Sequence, residues 1–536
     1  MSGLSHHPVQ AYLDDTAALL DTLKDDSGLR TLLTSAAEGV DEDGVDPTIA
    51  RLHSLIAGFS DLKASLDENN ARVEEEDVTE EKHDREMSEE HDRDMSEDDD
   101  EEGTFSVVII GASASGLGVA CALLQASPDL DVRILEKSDC VGSTFLSWPS
   151  FTTFISPSFY SNPFGPLDLN QITPSENGPQ TFTTSQHPTG KEYAEYLQNL
   201  SKSKMFGDRC LESYITFGVD VSTIETANYG GGTAFNIATS SGTDYNARYV
   251  IYAGGEYSHP YSPPSLTKNL NASIHYSALS PDMWSSYAAE CCSGSTIIIV
   301  GAGEAGYDAA FHVLDGEAVC SGEVILIDRN SGGGENNKVD DPSTTLSPRT
   351  RDRKIEILKS GKRIIVFKGC ECISINKEGE EYLAQYRNEK GKDETVTSKL
   401  PVILATGFNV GKSEKCILKD ISEFDESGRP VLSQDCDEVV KTKGLFVVGP
   451  MVKHEEVIFC FVYKFRCRFA LVAGEILSRL TVDYHSIKTN EDGTVVVDEE
   501  GHEKLESVEK MCRNYQEKGM LITDLSCAVC GDVGSC

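Results

Sequence analysis

The chain has 536 residues, a hydrophobic content of 39% and a formal net charge of −41. This length exceeds what one hydrophobic core supports, so two to four folding units are expected. The charge makes the chain a poor candidate for binding nucleic acid or an anionic membrane surface. No stretch is typical of a signal peptide or a membrane span, and the sixteen cysteines indicate reduced thiols, so we predict a cytoplasmic protein.

The N-terminal part of the chain divides into two segments of contrasting composition. Residues 1–66 carry apolar clusters at helical spacing, which predicts two or three short, partly amphipathic helices. These helices either form an appendage without activity or dock on a protein partner. Residues 67–103 are strongly acidic and nearly free of apolar side chains. Such a segment cannot offset the entropy of ordering, so we predict a disordered acidic linker.

The stretch from 105 to 118 predicts the start of a dinucleotide-binding unit. A β-branched run at 107–110 leads into a glycine-rich turn and an alanine-rich segment, the pattern of strand, turn and helix. A helix that begins at such a turn presents backbone N–H groups to an anion such as a pyrophosphate. A second strand at 131–135 ends in an acid that would hold a ribose. The predicted contacts are Gly111, Ser113, Ser115, Gly116 and Glu136, with Ser113 in place of the usual middle glycine.

The same pattern returns later in the chain. A strand at 296–300 precedes a turn that has all three glycines, and a helical stretch follows at 307–314. Another strand at 324–327 again ends in an acid. Two complete strand–turn–helix–strand–acid units in one chain are improbable by chance, so we predict two dinucleotide sites. The contacts predicted in this second unit are Gly301, Gly303, Glu304, Ala305, Gly306 and Asp328.

Each unit is followed by short β segments and a closing strand that ends in glycine. The closing strands are predicted at 249–255 and 402–407. This repetition predicts an α/β protein built from two parallel-sheet units, each with a β meander.

These motifs resemble those of the flavoprotein oxidoreductases with two dinucleotide-binding domains, the pyridine nucleotide-disulfide oxidoreductase and class B flavin-monooxygenase superfamily. The resemblance rests on the two glycine-rich turns with their acids, the closing strands and the segment 444–449. It implies two Rossmann-like domains, with FAD in the first and NADPH in the second, and it adds Gly407 and Gly449 to the cofactor contacts. The implied organisation is an FAD domain at 104–260 and 408–482, an inserted NAD(P)H domain at 261–407, and a C-terminal tail at 483–536.

The identity of the nicotinamide cofactor is ambiguous in the sequence. Asp328 would bind a free ribose 2′-hydroxyl and repel a 2′-phosphate. Arg329 is adjacent, however, and a basic cluster follows that would suit a phosphate. The resemblance favours NADPH, with NADH possible. The members of the cluster are Lys338, Arg349, Arg351, Arg353 and Lys354.

The electron acceptor separates two enzymatic hypotheses. A disulfide reductase needs a cysteine pair beside the flavin, whereas Cys140 stands alone after the first unit. A monooxygenase needs no catalytic cysteine, and the loop at 142–149 resembles the Gly-Gly-x-Trp loop of such enzymes. This resemblance adds Gly142, Thr144 and Trp148 to the flavin contacts. In the stretch that follows, Asn162 is a candidate hydrogen-bond donor to a flavin oxygen adduct. That adduct would act on a small-molecule substrate.

Three further features bear on this choice. The class B fingerprint before His275 is degraded, so His275 is equally well a satisfied surface residue. The segment 457–471 predicts a buried helix whose N-terminus faces the flavin. Cys527 and Cys530 form a C-terminal CxxC that would serve a thiol–disulfide reductase. With Cys536 they make three cysteines without an obvious fourth ligand, so no metal is predicted. A third hypothesis is a flavin-bound interaction or sensing protein.

Overall fold

The structure is a computed structural model that describes most of the chain after residue 103. The predictions made for 1–66, for the linker 67–103, and for Asn162, Cys527 and Cys530 lie outside the described residues. The described residues are 104–158, 167–174, 178–179, 185–229, 232–269, 271–315, 321–330, 346–490 and 495–522.

The first unit begins with the strand–turn–helix–strand pattern that the sequence predicts. Strand β1 (Thr104–Ile110), helix α1 (Ala114–Ala126) and strand β2 (Val132–Glu136) follow one another without interruption. The elements that follow are α2 (Ser143–Leu146), α3 (Gly190–Lys202), β3 (Lys204–Phe206), β4 (Arg209–Cys210), a 3₁₀ turn (Leu211–Tyr214), β5 (Ile215–Phe217), β6 (Val221–Tyr229), β7 (Gly232–Thr239) and β8 (Asp244–Tyr252).

The first sheet combines a parallel layer with an antiparallel meander. Strands β5, β2, β1 and β8 lie side by side, with all three neighbouring pairs parallel. Strand β8 also pairs antiparallel with β7, which pairs with β6. Residues 107–109 are fully buried, as expected for a parallel strand covered on both faces. The carboxyl ends of β1 and β2 therefore meet at one edge, where the glycine turn lies.

The second unit repeats the first sheet's parallel layer and is covered differently on its two faces. Its strands run in the order β12, β11, β10, β16, β9, all parallel. Alternate residues of β10 face a helical layer or the meander β13–β15. The elements are β9 (Ser273–His275), a 3₁₀ turn (Tyr276–Ala278), α4 (Pro281–Cys292), β10 (Thr296–Val300), α5 (Glu304–Leu314), β11 (Glu323–Ile327), α6 (Pro348–Lys359), β12 (Arg363–Phe367), β13 (Glu371–Glu378), β14 (Glu381–Arg387), β15 (Asp393–Ser398) and β16 (Val402–Leu404).

After β16 the chain returns to the first sheet, where β17 pairs with β8. The prediction of one buried helix over 457–471 is wrong, because this segment contains a hairpin strand, a short helix, a 3₁₀ turn and the start of a long helix. The bend keeps the aromatic residues near 460 beside the glycine turn of the first unit. The elements are β17 (Leu445–Val447), β18 (Lys453–His454), β19 (Val457–Ile458), α7 (Val462–Phe465), a 3₁₀ turn (Arg466–Arg468) and α8 (Phe469–His485).

The described residues after 485 fold onto the first unit. They form a hairpin of β20 (Ser486–Thr489) and β21 (Val495–Val497) and the helix α9 (Glu499–Glu517). Helix α9 packs on α8 and α1 and contributes Met511 and Tyr515 to the core. The sequence analysis assigned no element to this part. Within the ranges that the structure describes, no helix combines the length and the apolar character needed to cross a bilayer.

A buried charge network ties the C-terminal part of the fold together. The carboxylate of Asp437 accepts hydrogen bonds from Arg468 at 2.8 Å and from the ring of His454 at 2.6 Å. Arg468 also donates to the backbone carbonyl of Ile522. All three side chains are almost fully buried, so each charge depends on its partners for compensation.

Candidate functional site

Two glycines of the first turn are required by close backbone approach. Gly111 has φ +106°, and a Cβ there would lie 2.9 Å from the carbonyl oxygen of Ala253. A Cβ at Gly116 would lie 1.9 Å from the carbonyl oxygen of Gly111. The turn therefore draws the start of α1 tightly against the ends of β1 and β8. This geometry leaves the first backbone N–H groups of α1 at the open edge of the sheet.

The two serines of this turn line a cavity at the start of α1. Ser113 is the N-cap residue of α1, with extended backbone and no side-chain capping hydrogen bond. Ser115 packs against Gly449, where a Cβ would lie 2.2 Å from the Ser115 Oγ atom. The segment after β17 therefore closes over the first turn at the position that the resemblance implies for Gly449.

The Glu136 carboxylate accepts hydrogen bonds from the backbone of the first glycine turn and of the loop after β2. One carboxylate oxygen accepts from the Ala112 N–H at 2.7 Å. The other accepts from the Ser138 N–H at 3.0 Å and from the Ser143 hydroxyl at 3.3 Å. The carboxylate thus fixes the turn and the loop that carries Gly142, which begins α2 with φ +73°. A ribose would share a carboxylate that already organises the site.

The second turn distinguishes packing glycines from an open one. Gly301 has φ +108°, and its Cβ would lie 2.3 Å from the carbonyl oxygen of Ala405. A Cβ at Gly306 would lie 2.1 Å from the carbonyl oxygen of Gly301. At Gly303 a Cβ would meet no atom within 4 Å. The fold therefore does not need a glycine at 303, whereas a pyrophosphate approaching this backbone does.

The charged residues of the second unit are held by each other. Glu304 accepts from the N–H and hydroxyl of Ser347 and from the Thr350 hydroxyl, all at the start of α6. Asp328 is buried at the tip of β11, and one of its oxygens accepts from the Asn330 N–H at 3.0 Å. Arg329 beside it is exposed.

The described members of the basic cluster predicted to hold a phosphate contact other groups of the second unit. Arg349 forms an ion pair with Asp308 at 3.1 Å, and Arg353 pairs with Asp315. Lys354 lies 5.1 Å from the ring centre of Tyr307, and Arg351 donates to the Leu346 carbonyl. These four side chains belong to α6, and their partners lie on α5, directly after α5 or directly before α6. Lys338 lies outside the described residues.

One cavity of about 310 Å³ connects the two turns. It reaches Ser113 and Ser115 at the start of α1 and Glu304 and Ala305 at the start of α5. Between these ends it is lined mainly by aromatic and small residues. The aromatic lining residues are Phe145, Trp148, Phe154, Tyr257, Tyr276, Phe408, Phe461 and Phe465.

The aromatic wall leaves polar atoms without partners. Trp148 packs on Phe145 and Phe154, with ring centres 5.1 and 5.2 Å apart. The Trp148 indole nitrogen and the Tyr257 hydroxyl are buried, and no described residue hydrogen-bonds to either. Burial raises the pKa of Tyr257 to about 12. A ligand that presents hydrogen-bonding atoms along an aromatic ring would satisfy both groups.

Two carboxyl groups of the lining have raised pKa values. Burial raises the pKa of Asp308 to about 6, despite the opposing charge of Arg349. Burial also raises the pKa of Glu256 above its ordinary value, against the effect of Arg429. Sequence reasoning missed both residues. Glu256 directly follows the closing-strand glycines, and Asp308 lies one turn after Glu304, so proximity to the two motifs is the signal that would find them.

The remaining predicted residues fall at different distances from this cavity. Thr144 lines it beside Trp148, whereas Cys140 and Gly407 are not among its lining residues. Gly407 accepts at its carbonyl oxygen from the ring of His275 at 3.0 Å. His275 is buried with its ring hydrogen-bonded, so the alternative of a surface residue is wrong. Cys460 lines the cavity, and the sequence analysis gave it no role.

The residues of both turns fit dinucleotides. Each helix start is free of side-chain caps, and each is preceded by a glycine turn that brings backbone N–H groups to one cavity. The open position at Gly303 and the unpartnered atoms of Trp148 and Tyr257 are features that the protein's own packing does not explain. Together they define an oxidoreductase fold with two dinucleotide-binding units facing one cavity.

Comparison with protein families identifies the family of this chain. Residues 108–449, well over half of the chain, match the family model described as pyridine nucleotide-disulphide oxidoreductase, and the chain belongs to this family.

Solved structures share the fold, and curated proteins match part of the chain, at low identity. A cadaverine monooxygenase from Erwinia amylovora is 13% identical, covers 70% of this chain and 94% of its own, and superposes with a TM-score of 0.53. A bacillithiol disulfide reductase from Bacillus cereus is 19% identical, covers 70% and 99%, and has a TM-score of 0.50. An FAD-dependent monooxygenase from Alternaria brassicicola is 24% identical over 215 residues, which are 39% of this chain. The chain spans about a third (34%) of that relative's length. The two structures share the fold with this chain.

Proposed function

We propose that the chain is an FAD-containing, NAD(P)H-dependent oxidoreductase of the flavin-monooxygenase type. It would transfer hydride from the nicotinamide to the flavin, and the electrons would then pass to oxygen and a small-molecule substrate. NADPH is the donor that the family resemblance favours. NADH is the alternative, supported by the carboxylate of Asp328 and by the ion pairs that engage Arg349 and Arg353 of the basic cluster.

The observation that carries the proposal is the single cavity between the two helix starts. It touches Ser113 and Ser115 of the first unit and Glu304 and Ala305 of the second. Hydride transfer needs two rings stacked in contact and shielded from water. A cavity with an aromatic wall and one dinucleotide turn at each end supplies such a place.

The chain's own residues would divide the binding between them. The start of α1 would hold the FAD pyrophosphate, and Glu136 would hold the ribose while keeping the turn in shape. The indole N–H of Trp148 and the hydroxyl of Tyr257, which have no partner among the described residues, would hydrogen-bond to the flavin ring system. The start of α5, with the open Gly303, would hold the nicotinamide dinucleotide. When bound, flavin supplies the capacity to accept a hydride and to release electrons one or two at a time.

The lining favours oxygen over a disulfide as the acceptor. Among the lining residues of the described chain, Cys460 is the one cysteine, and no cysteine pair faces the cavity. Two curated relatives matched by the chain carry the name FAD-dependent monooxygenase. A thiol–disulfide reductase remains the second candidate, because Cys460 lies at the cavity and a bacillithiol disulfide reductase shares the fold. Its exchange thiols would be Cys527 and Cys530.

An absorption spectrum of the purified protein tests the proposal directly. We expect a flavin spectrum, bleaching on addition of NADPH or NADH under argon, and recovery under air with oxygen uptake. The variant Cys530→Ser separates the candidates, because oxygen-linked turnover would persist while disulfide-dependent turnover would be lost. Protein that stays colourless when offered FAD would overturn the proposal. Bound flavin that neither donor reduces would instead favour an interaction or sensing role.

A further inference from the structure

Two tyrosine hydroxyls of the cavity lining have no hydrogen bond to any described residue. Tyr276 is 7% exposed, lines the cavity and has no hydrogen bond from its hydroxyl to any described residue. The Tyr257 hydroxyl is buried and likewise has no hydrogen bond to any described residue. The buried, unpartnered hydroxyl of Tyr257 costs about 1–3 kcal/mol unless a ligand supplies the missing hydrogen bond. The Tyr276 hydroxyl is open to the cavity, where a ligand or water can bond to it.

A buried acid lines the same cavity. Asp308 lines the cavity from α5 and is 8% exposed, and its charge acts on Tyr276. The groups that face Asp308 are Arg349 and Arg353 of α6, which lower its pKa, and Glu304 of its own helix, which raises it. Burial is the largest effect and brings the pKa to about 6. Asp308 therefore keeps its proton at a pH where an exposed aspartate has lost it.

The proposed reaction consumes a proton inside the cavity. In oxygenation, NAD(P)H, one proton, O₂ and the substrate give NAD(P)⁺, the oxygenated substrate and water. The nicotinamide loses two electrons, one oxygen atom goes to the substrate, and the other leaves in water. In disulfide reduction, NAD(P)H and one proton convert one disulfide to two thiols. Both acceptors therefore require one proton per turnover at a site shielded from bulk water.

We propose that Asp308 and Tyr276 form the proton-supplying pair of this cavity. Asp308 holds the proton, and a water in the cavity carries it to the Tyr276 hydroxyl, because the two side chains share no direct hydrogen bond. The hydroxyl passes the proton to the acceptor, and solvent then restores it to Asp308. This assignment rests on the proposed oxidoreductase function. The other acid of the lining with a raised pKa, Glu256, is less suited, because its side chain is 28% exposed. Its partner Arg429 also donates to the Pro450 carbonyl, which anchors Glu256 to the segment over the first turn.

The first test detects the proton without turnover. Infrared difference spectra of the purified protein, recorded from pH 4.5 to 8 without NAD(P)H, should show a buried carboxylic acid band with a midpoint near pH 6. Asp308→Asn should abolish this band. The matched control is Asp315→Asn, because Asp315 lies on the same helix and also pairs with an arginine of α6, yet is half exposed and outside the cavity lining. A band that survives in Asp308→Asn overturns the assignment.

The second test separates the two half-reactions by stopped flow. Asp308→Asn should slow the return of the reduced enzyme to its oxidised spectrum under air by about 10²-fold or more, the usual effect of losing a general acid. It should also remove the pH dependence of that step, while reduction by NAD(P)H changes less than about twofold. Tyr276→Phe, which deletes one unpartnered hydroxyl, should slow the same step about tenfold or more.

Each result bears on a single claim. Wild-type re-oxidation rates in both variants would refute the pair even if the enzyme is a flavoprotein. Absence of flavin reduction in the wild-type protein would refute the proposed function, and the infrared titration would still decide whether Asp308 carries the proton. Circular dichroism of Asp308→Asn checks that this variant folds, since it leaves Arg349 without its partner. If it misfolds, the re-oxidation rate of Tyr276→Phe still decides the proposal.

Discussion

Replacement of Gly303 by valine tests the second dinucleotide site most sharply. A Cβ at this position meets no atom within 4 Å, so added methyl groups enter open space at the helix start. The backbone there is extended, with φ −82° and ψ −171°, which a β-branched residue adopts without strain. The side chain would therefore occupy the place of the pyrophosphate and disturb little else.

The expected magnitudes separate binding from folding. Valine is a poorer N-cap residue than glycine, so the free energy of unfolding should fall by about 1 kcal/mol. The dissociation constant for NAD(P)H should rise by about tenfold or more, which corresponds to about 1.4 kcal/mol of binding free energy. FAD content should stay at the wild-type level, because the first turn is untouched.

The matched variant Gly301→Ala should show the opposite pattern. Gly301 has φ +108°, and an added Cβ lies 2.3 Å from the Ala405 carbonyl oxygen. The left-handed conformation costs about 1–2 kcal/mol for an L-residue, and the clash with a rigid backbone adds to it, for a total of about 3 kcal/mol. Differential scanning calorimetry measures the stability, and fluorescence titration measures NAD(P)H binding. If Gly303→Val binds NAD(P)H as tightly as the wild-type protein does, the dinucleotide does not use this turn.

Three further predictions concern buried charges. Glu136→Gln should lower FAD retention after gel filtration, because the neutral amide is a weaker acceptor for the turn N–H groups; wild-type retention would contradict the role assigned to Glu136. Asp437→Asn should cost about 3–5 kcal/mol in urea unfolding, since Arg468 keeps an uncompensated buried charge; a change under 1 kcal/mol would refute this. Asp308 should make the wild-type protein less stable as pH rises. Its pKa rises from 3.8 unfolded to about 6 folded, so a contribution of about 3 kcal/mol is full below pH 3.8 and lost through pH 6. Asp308→Asn should flatten that slope, and an unchanged slope in thermal unfolding would contradict the assignment.

The sequence determined the two parallel-sheet units through local patterns. The β-branched runs before Gly111 and Gly301 and the alanine-rich segments after them contain their own signals for strand, turn and helix. Backbone approach at both glycines gives these signals a physical basis, because any Cβ would collide with a neighbouring carbonyl. Connections between parallel strands are short and right-handed, and this limits the strand orders that the two units can adopt.

The segment after Gly449 shows where local reading fails. Its run of aromatic and apolar residues suits a buried helix, yet His454 and Val457 pair in a hairpin before helix α7 begins. Helical propensity is a weak preference, and tertiary packing overrides it. Here the hairpin is held by His454 binding Asp437, a residue distant in sequence, so no window of the sequence contains the cause.

The sequence alone determined two glycine-rich turns, the acids that follow them and the order of the units, since these depend on neighbours within a few residues. Only the tertiary structure decided how charges and hydroxyls are partnered. In the fold, the Glu136 carboxylate accepts a hydrogen bond from the backbone of the first glycine turn, and Arg349 pairs with Asp308 instead of with a phosphate. It also left Tyr276 facing a cavity without a hydrogen-bond partner among the described residues. The physical reason is that a side chain's pKa and its hydrogen-bond partners follow from burial and distance in three dimensions, which residue spacing does not encode.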